Sequence, residues 1–368
     1  MEWRYGRKVL WTGLGLLLGA VVGIGGFFTQ AKGDNPTKRF ITINMINANG
    51  TLATYLQEAE SVSPELAAGR EALSESLGFW MQAAIESRDL AEFEKSYDIL
   101  TRYFIADRNY IVWKLSPEGE AKVSTNALGD DLRIIGALLD GAKVWKKGHP
   151  EWKETARELA ETLLNRSQNN GYLVDFYDFS RQEMPDTLSL AYVDLPALKG
   201  LQNEGLLDQE IYIRYHALLR NMPDDGVFYP KSFHVVTREY IYEDKVNLID
   251  QLLIAMYAGE TGRDQAALHQ FLKEEFEQAG KLAGQYTRAD RKAAVNYESP
   301  SVYGLAIKFA LQMGDRTLAE QLYERLRTFK GRDPQYPGGY VFGKDTHIFD
   351  NLLPLLGEYA IQRGGHGK

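Results

Sequence analysis

The stretch Ala127-Leu128-Gly129-Asp130-Asp131-Leu132-Arg133-Ile134-Ile135-Gly136-Ala137-Leu138-Leu139, running on to Trp145, decides how the rest of the chain is read. Two acids open an apolar helix, and carboxylates suit the positive end of a helix dipole. The pattern spreads in both directions. Helices are expected near 52–60, 77–87, 89–104, 131–147, 151–168, 188–201, 207–221, 247–259, 264–279, 299–313, 315–329 and 347–363. Short alternating stretches at Phe40–Ile46, Tyr110–Leu115, Tyr172–Phe176 and Val235–Tyr242 read as loop strands between them. No proline- or serine-rich linker separates the helices, which argues for one continuous all-α architecture. It is either a closed α/α barrel of concentric hairpins or an open solenoid of stacked pairs. Ala306–Leu326 has the character of a tetratricopeptide helix pair, but no recurrence of about 34 residues follows it.

The 368 residues, 44% of them hydrophobic, suffice for a large core. Residues 1–31 contribute +2 to a formal net charge of −8, so the remainder carries −10 by subtraction. Such a balance argues against nucleic acid as a partner. The absence of cysteine excludes disulfides, thiolate metal sites and cysteine nucleophiles. Val9–Phe28 is an apolar run of 20 positions, enough at about 1.5 Å per residue for a ~30 Å hydrocarbon layer. Arg4, Arg7 and Lys8 precede it, and the apolar region of a signal peptide is usually only about 7–15 residues long, which favours an uncleaved signal anchor. Cleavage after Ala31, giving a secreted form, is the alternative. Lys32, Lys38 and Arg39 on the far side leave the positive-inside rule with little to discriminate. The division expected is a membrane segment over 1–31, a juxtamembrane extended segment over 32–50 and a catalytic domain over 51–368.

Three acidic clusters stand at helix entries. In Ser74-Glu75-Ser76-Leu77-Gly78-Phe79-Trp80-Met81 a carboxylate meets aromatic surface, which raises its pKa and fits a proton donor; the structural reading makes Glu75 a helix cap. Asp130 and Asp131 form the second cluster. Adjacent carboxylates raise the question of metal, but no histidine and no calcium-loop spacing accompanies them, so no metal and no cofactor are expected. In the third, Tyr240-Ile241-Tyr242-Glu243-Asp244-Lys245-Val246-Asn247, Asp244 and the following Asp250 are both candidates to reach a cleft.

In this order the clusters resemble glycoside hydrolase family 8. Its acid motif, Ser-Glu-Gly-Gln-Gly-Tyr-Gly-Met, is matched by Ser74, Glu75, Gly78, Phe79 and Met81. Its signature, Ala-Ser/Thr-Asp-Ala/Gly-Asp followed by an Ile or Met and a later aromatic, is matched by Ala127, Asp131, Ile134, Ala137, Leu138, Leu139 and Trp145. Tyr192 and Pro196 are similar to a Ser-Tyr-x-x-Pro element, one residue too long. Two departures stand out: Gly129 replaces the signature's first aspartate, which contacts the reacting sugar, and Asn247 replaces an arginine three residues after the base. The resemblance implies an (α/α)6 barrel of six helical hairpins, here joined to an N-terminal transmembrane helix. It also implies a divergent, membrane-anchored, extracellular hydrolase of the kind associated with exopolysaccharides of Gram-positive bacteria.

On this resemblance Glu75 is the general acid and Asp244 the general base, with Asp250 as second choice. Asp130 and Asp131 are the acids expected on the sugar, Trp80, Trp113 and Tyr192 are sugar-binding candidates as aromatics in or near the inter-helix loops, and a β-linked polysaccharide is the partner implied. Inversion requires carboxyl groups about 6.5–9.5 Å apart, leaving room for a water. Phe176, Tyr177, Tyr229 and Phe233 are further aromatics that either stack on sugars or pack the core. The competing reading is a binding barrel that has lost turnover through Gly129 and Asn247 and serves polysaccharide secretion or biofilm.

Overall fold

The computed structural model describes residues 35–60, 63, 66–146 and 148–363. The membrane-spanning stretch expected at 9–28 lies outside them. Among the described residues no helix is long and apolar enough to cross a membrane.

Two kinds of helix alternate along the chain. The inner kind is typified by α4 (Leu128–Trp145), buried on nearly every face from Leu128 to Leu139. The helix that follows, α5 (Pro150–Arg166), buries one stripe, Trp152, Ala156, Leu159, Ala160 and Leu163, spaced by three or four residues. A helix apolar all round must be covered all round, whereas a one-stripe helix belongs on the outside. The inner set is α2 (Ser74–Ser87), α4, α6 (Leu195–Asn203), α8 (Leu248–Gly259), α10 (Pro300–Gln312) and α12 (Phe349–Arg363). Between them run α3 (Leu90–Ile99), α5, α7 (Gln209–Asn221), α9 (Ala266–Ala279) and α11 (Arg316–Arg327). Each inner helix packs on the next, and α12 packs on α2, so the ring closes and the solenoid is excluded. Because each outer helix carries the chain back, all six inner helices start at the same end.

The closest crossing is between α10 and α12. A Cβ at Gly304 would lie 2.3 Å from the Leu353 carbonyl oxygen, so only glycine lets the two backbones touch. The ring is completed from the N-terminus by α1 (Pro36–Asn44), which packs on α12. Asn35 caps α1 by accepting from the backbone N–H groups of Thr37 and Lys38. Its amide also donates to Glu358 of α12 at 2.8 Å, the Thr37 hydroxyl donates to the same carboxylate at 3.0 Å, and Tyr340 does so at 2.7 Å.

Four expectations need correction. Val235–Tyr242 is not one strand: a turn over 235–238 separates the strands Ser232–His234 and Glu239–Ile241. Phe40–Ile46 is mostly helix, not strand, because the Asn35 cap and Pro36 at the first helical position outweigh its alternation. The helix expected over 52–60 does not form. There the backbone N–H groups of Ala53, Thr54, Tyr55 and Leu56 are spent on Met45, Glu71, Gly69 and Thr346, stitching the helix ends together. Finally, α6 begins at Leu195 rather than near 188, set by the Asp194 cap and Pro196. The preceding residues form the strand Thr187–Ser189 and the 3-10 turn Leu190–Tyr192, which frees Tyr192 from a helix.

Candidate active site

Glu75 is the second residue of α2, so its carboxylate lies where the inner helices begin. The Ser74 N–H bonds the Trp113 carbonyl oxygen at 3.0 Å, and its hydroxyl donates to Asp130 Oδ2 at 2.5 Å. The backbone N–H of Glu75 also bonds Asp130. Asp130 therefore takes up the free N–H of Glu75 at the start of α2, while the Ser74 N–H is taken by Trp113. The capping reading of Glu75 gives way, and its side chain remains 30% exposed.

Arg133 lies one turn into α4 from Asp130. Its Nη1 stands 3.5 Å from Glu75 Oε1 and 3.8 Å from Asp130 Oδ1, and its side chain is 2% exposed. The guanidinium sits 4.0 Å over the Phe79 ring. Gly78 makes room for it, since a Cβ there would meet Arg133 Cδ at 3.1 Å. Burial raises the Glu75 pKa, and the Arg133 charge opposes that rise. Asp130 is pushed up to about 7 by burial and then by the neighbouring Glu75 charge, against Arg133 and the hydrogen bonds from Ser74 and Glu75.

Tyr192 lies beside them. A Cβ at Gly129 would stand 2.7 Å from Tyr192 Cδ1, so the aromatic ring fills the space above the glycine. Burial raises its phenol pKa, and so do the charges of Glu75, Asp130, Asp175 and Asp250. Four carboxylates from separate parts of the chain thus act electrostatically on one hydroxyl. Asp250, in the first turn of α8, is pushed up to about 6 by burial, with Lys231 lowering it and Glu243 and Glu75 raising it. Asp175 accepts from the Ser189 N–H at 2.6 Å, the Ser189 hydroxyl at 3.0 Å and Thr187 at 3.2 Å. Burial raises its pKa as well. Lys231 pairs with Glu243 at 2.5 Å.

Other candidates fall elsewhere. Asp244 is exposed in the bend before the strand Lys245–Asn247, where its carbonyl oxygen accepts from the Arg288 N–H at 2.7 Å. Asn247, in place of the family's arginine, caps α8 by accepting from the Ile249 N–H at 2.9 Å. Asp131 is turned away from Glu75 and is buried beside α5, accepting from Asn126 at 2.5 Å. Successive helix residues point about 100° apart, so only one of the two aspartates can face the barrel mouth. Trp80 is buried and donates to Glu92 of α3 at 2.7 Å, which makes it part of the wall and not a sugar platform. Tyr177, Tyr229 and Phe233 are core residues, whereas Phe176 is exposed and Trp113 half-buried.

Three residues here went unread in the sequence: Asp175, Lys231 and Arg133. A lone arginine inside an apolar helix, Leu132-Arg133-Ile134-Ile135, was the signal for the last, because a buried charge requires partners. A separate groove of about 990 Å³, lined among others by Asn47, Glu58, Arg70 and Glu118, holds none of the clustered acids. Among the described residues no group of three or more histidine, aspartate or glutamate side chains is placed to hold a metal ion.

No established family profile matches the chain. A Bacillus subtilis (strain 168) protein named "Putative lipoprotein YdaJ" is 36% identical over 329 residues, 89% of this chain and 86% of that one. The chain belongs to that protein's family. Among solved structures, an alpha-amylase from Clostridium perfringens is 26% identical with a TM-score of 0.79, covering 88% of this chain and 96% of its own. PssZ from Listeria monocytogenes is 24% identical with a TM-score of 0.71 over 89% and 94%. Endoglucanase Cel10 of Klebsiella pneumoniae, a family 8 glycosyl hydrolase, is 16% identical with a TM-score of 0.60 over 90% and 100%. The fold of this family is thus a divergent form of the glycoside hydrolase family 8 barrel, as the motif resemblance implies.

Proposed function

We propose that this protein is an endo-acting glycoside hydrolase that cleaves a β-linked extracellular polysaccharide with inversion. Glu75 protonates the departing glycosidic oxygen, and Asp250 takes a proton from the water that attacks the anomeric carbon. The observation that carries the reading is the pairing of environments around Tyr192: Glu75, raised by burial, lies within electrostatic reach of Asp250, raised to about 6 and so ionised at neutral pH. Asp250 takes the base role in preference to Asp244, which is exposed and bonded through its backbone. Tyr192, seated on Gly129, and Asp130 are the groups nearest the reacting sugar. Phe176 and Trp113 are the aromatics left open for stacking.

The name of the Bacillus subtilis relative supports attachment to a membrane. This chain has no cysteine to carry a thiol-linked lipid, so the anchor proposed is the apolar run 9–28, with the barrel outside the cell. The alpha-amylase likeness favours a second substrate reading, an α-glucan.

The test is release of reducing ends from β-glucans, xylan, bacterial exopolysaccharides and starch, with the anomer of the first product read by NMR. A β-linked polymer yielding the α-anomer supports the proposal. Cleavage of starch alone replaces the substrate class. Retention of polymer with no new ends makes the protein a binding barrel.

A further inference from the structure

Arg133 is a buried cation with unmade hydrogen bonds. Its Nε and Nη1 have no acceptor, although two carboxylates stand near at 3.5 and 3.8 Å. Charge-assisted N–H···O contacts normally close to about 2.7–2.9 Å, so neither is a formed bond. Unpaired buried donors cost free energy and are rare. The surroundings hold the side chain in place all the same. Phe79 underlies the guanidinium, Gly78 clears its stem, and the Tyr257 hydroxyl is within hydrogen-bonding reach. Asp194 ahead of α6 and Lys308 on α10 complete its charged neighbourhood.

We propose that Arg133 is a positioning residue for the general acid: its unpaired N–H groups receive the carboxylate that Glu75 becomes when it gives up its proton. The inference rests on the hydrolase reading above. In the step concerned, the Glu75 proton passes to the glycosidic oxygen as the bond from that oxygen to the anomeric carbon breaks. Water oxygen bonds that carbon, and its proton goes to Asp250. Glu75 thereby gains a negative charge, and a donor that is idle beforehand and engaged afterwards stabilises the transition state more than the ground state. A guanidinium already bonded to a carboxylate would instead stabilise the ionised acid and depress its proton-donating form. Asp130, holding the start of α2 through Ser74 and the Glu75 N–H, keeps the gap from closing by backbone movement. The charged and titratable groups electrostatically coupled to Glu75 are Arg133 and Asp130 on α4, Tyr192 on the 3-10 turn and Asp250 on α8.

Carbon-13 NMR of carboxyl-labelled glutamate in the full chain, with Glu75→Gln to assign the resonance, tests this without substrate. In Arg133→Met the Glu75 midpoint should rise by about one pH unit, a tenfold change in acidity. On the hydrolysed polymer kcat should fall about 10- to 100-fold with KM within about twofold, and the basic limb of the pH profile should move up by the same unit. Arg133→Lys should recover part of each. Arg133→Gln gives the same readings should the apolar variant not fold. A midpoint identical to wild type overturns the proposal, whatever happens to turnover, because a merely structural arginine lowers Tm without moving it. A shifted midpoint with no polymer hydrolysed by wild type leaves the coupling standing and removes the hydrolase reading.

Discussion

Two carboxylate–cation sites stand at opposite poles of chemistry in this barrel. At the seam where the chain's first described helix meets its last, Glu358 is 1% exposed and its partners close in: Lys330 at 2.5 Å, Tyr340 at 2.7 Å, Asn35 at 2.8 Å and Thr37 at 3.0 Å. At the barrel mouth Glu75 and Asp130 face Arg133 across 3.5 and 3.8 Å, with donors unused. Both set carboxylates against a cation, but the cation is engaged at the first and keeps idle donors at the second. A carboxylate with all its partners engaged serves as a clamp. One that faces idle donors can gain hydrogen bonds on giving up a proton, which suits proton transfer.

The comparison breaks if the two glutamates respond alike to one substitution. Glu75→Gln should remove turnover by about 10³-fold or more while leaving Tm unchanged or higher, as measured by reducing-end release and calorimetry. Asp250→Asn should act similarly, whereas Asp244→Asn should stay within about twofold of wild type. If Asp244→Asn is the inactive variant, the base is misassigned. Next in size, Glu358→Gln should leave the active site intact but destabilise the fold by about 3 kcal/mol, because an amide turns donors toward donors.

The effect of pH sharpens the contrast further. Asp130 and Asp250 have folded-state pKa values raised to about 7 and about 6 from 3.8, so the folded protein binds protons that the unfolded chain does not. Their contribution to stability is greatest below about pH 4 and is lost as pH rises through 6 and 7, so Tm should fall over that interval. Asp131, buried against α5 and raised well above the usual carboxylate range, adds to the same trend. Asp131→Asn should flatten it with little change in activity. The smallest effect expected is that of Trp80→Phe, which loses one hydrogen bond to Glu92, about 1 kcal/mol of stability, and no substrate affinity.

Much of the ring was legible because its inner helices are apolar without interruption and its outer ones carry a single stripe. Helix entries with acids were legible for the same reason, since six parallel helices bring their positive ends to one mouth and carboxylates gather there. What could not be read was which acid of a pair faces inward. Asp130 and Asp131 are indistinguishable in sequence and lie on different faces in space. Motif position alone does not separate Asp244 from Asp250, because the surroundings of each depend on the strand Lys245–Asn247 and its pairing with Gln285–Thr287. Tyr192 was readable as a candidate, but its dependence on Gly129 was not, because the contact joins two helix entries distant along the chain. The α1 helix was hidden by the alternation of Phe40–Ile46, which the Asn35 cap and Pro36 outweigh, and its packing partners are among the last described residues to appear.

That delay has a consequence for biosynthesis. Asn35 and Glu358 are 323 residues apart. At about 5–20 residues per second a ribosome needs on the order of tens of seconds to cover that distance. Throughout that interval the first helix has no docking surface, and the growing arc of hairpins presents an open edge at α2. Only when α12 leaves the exit tunnel can α1 and α2 both dock on it, so closure of the ring waits for the synthesis of its last hairpin.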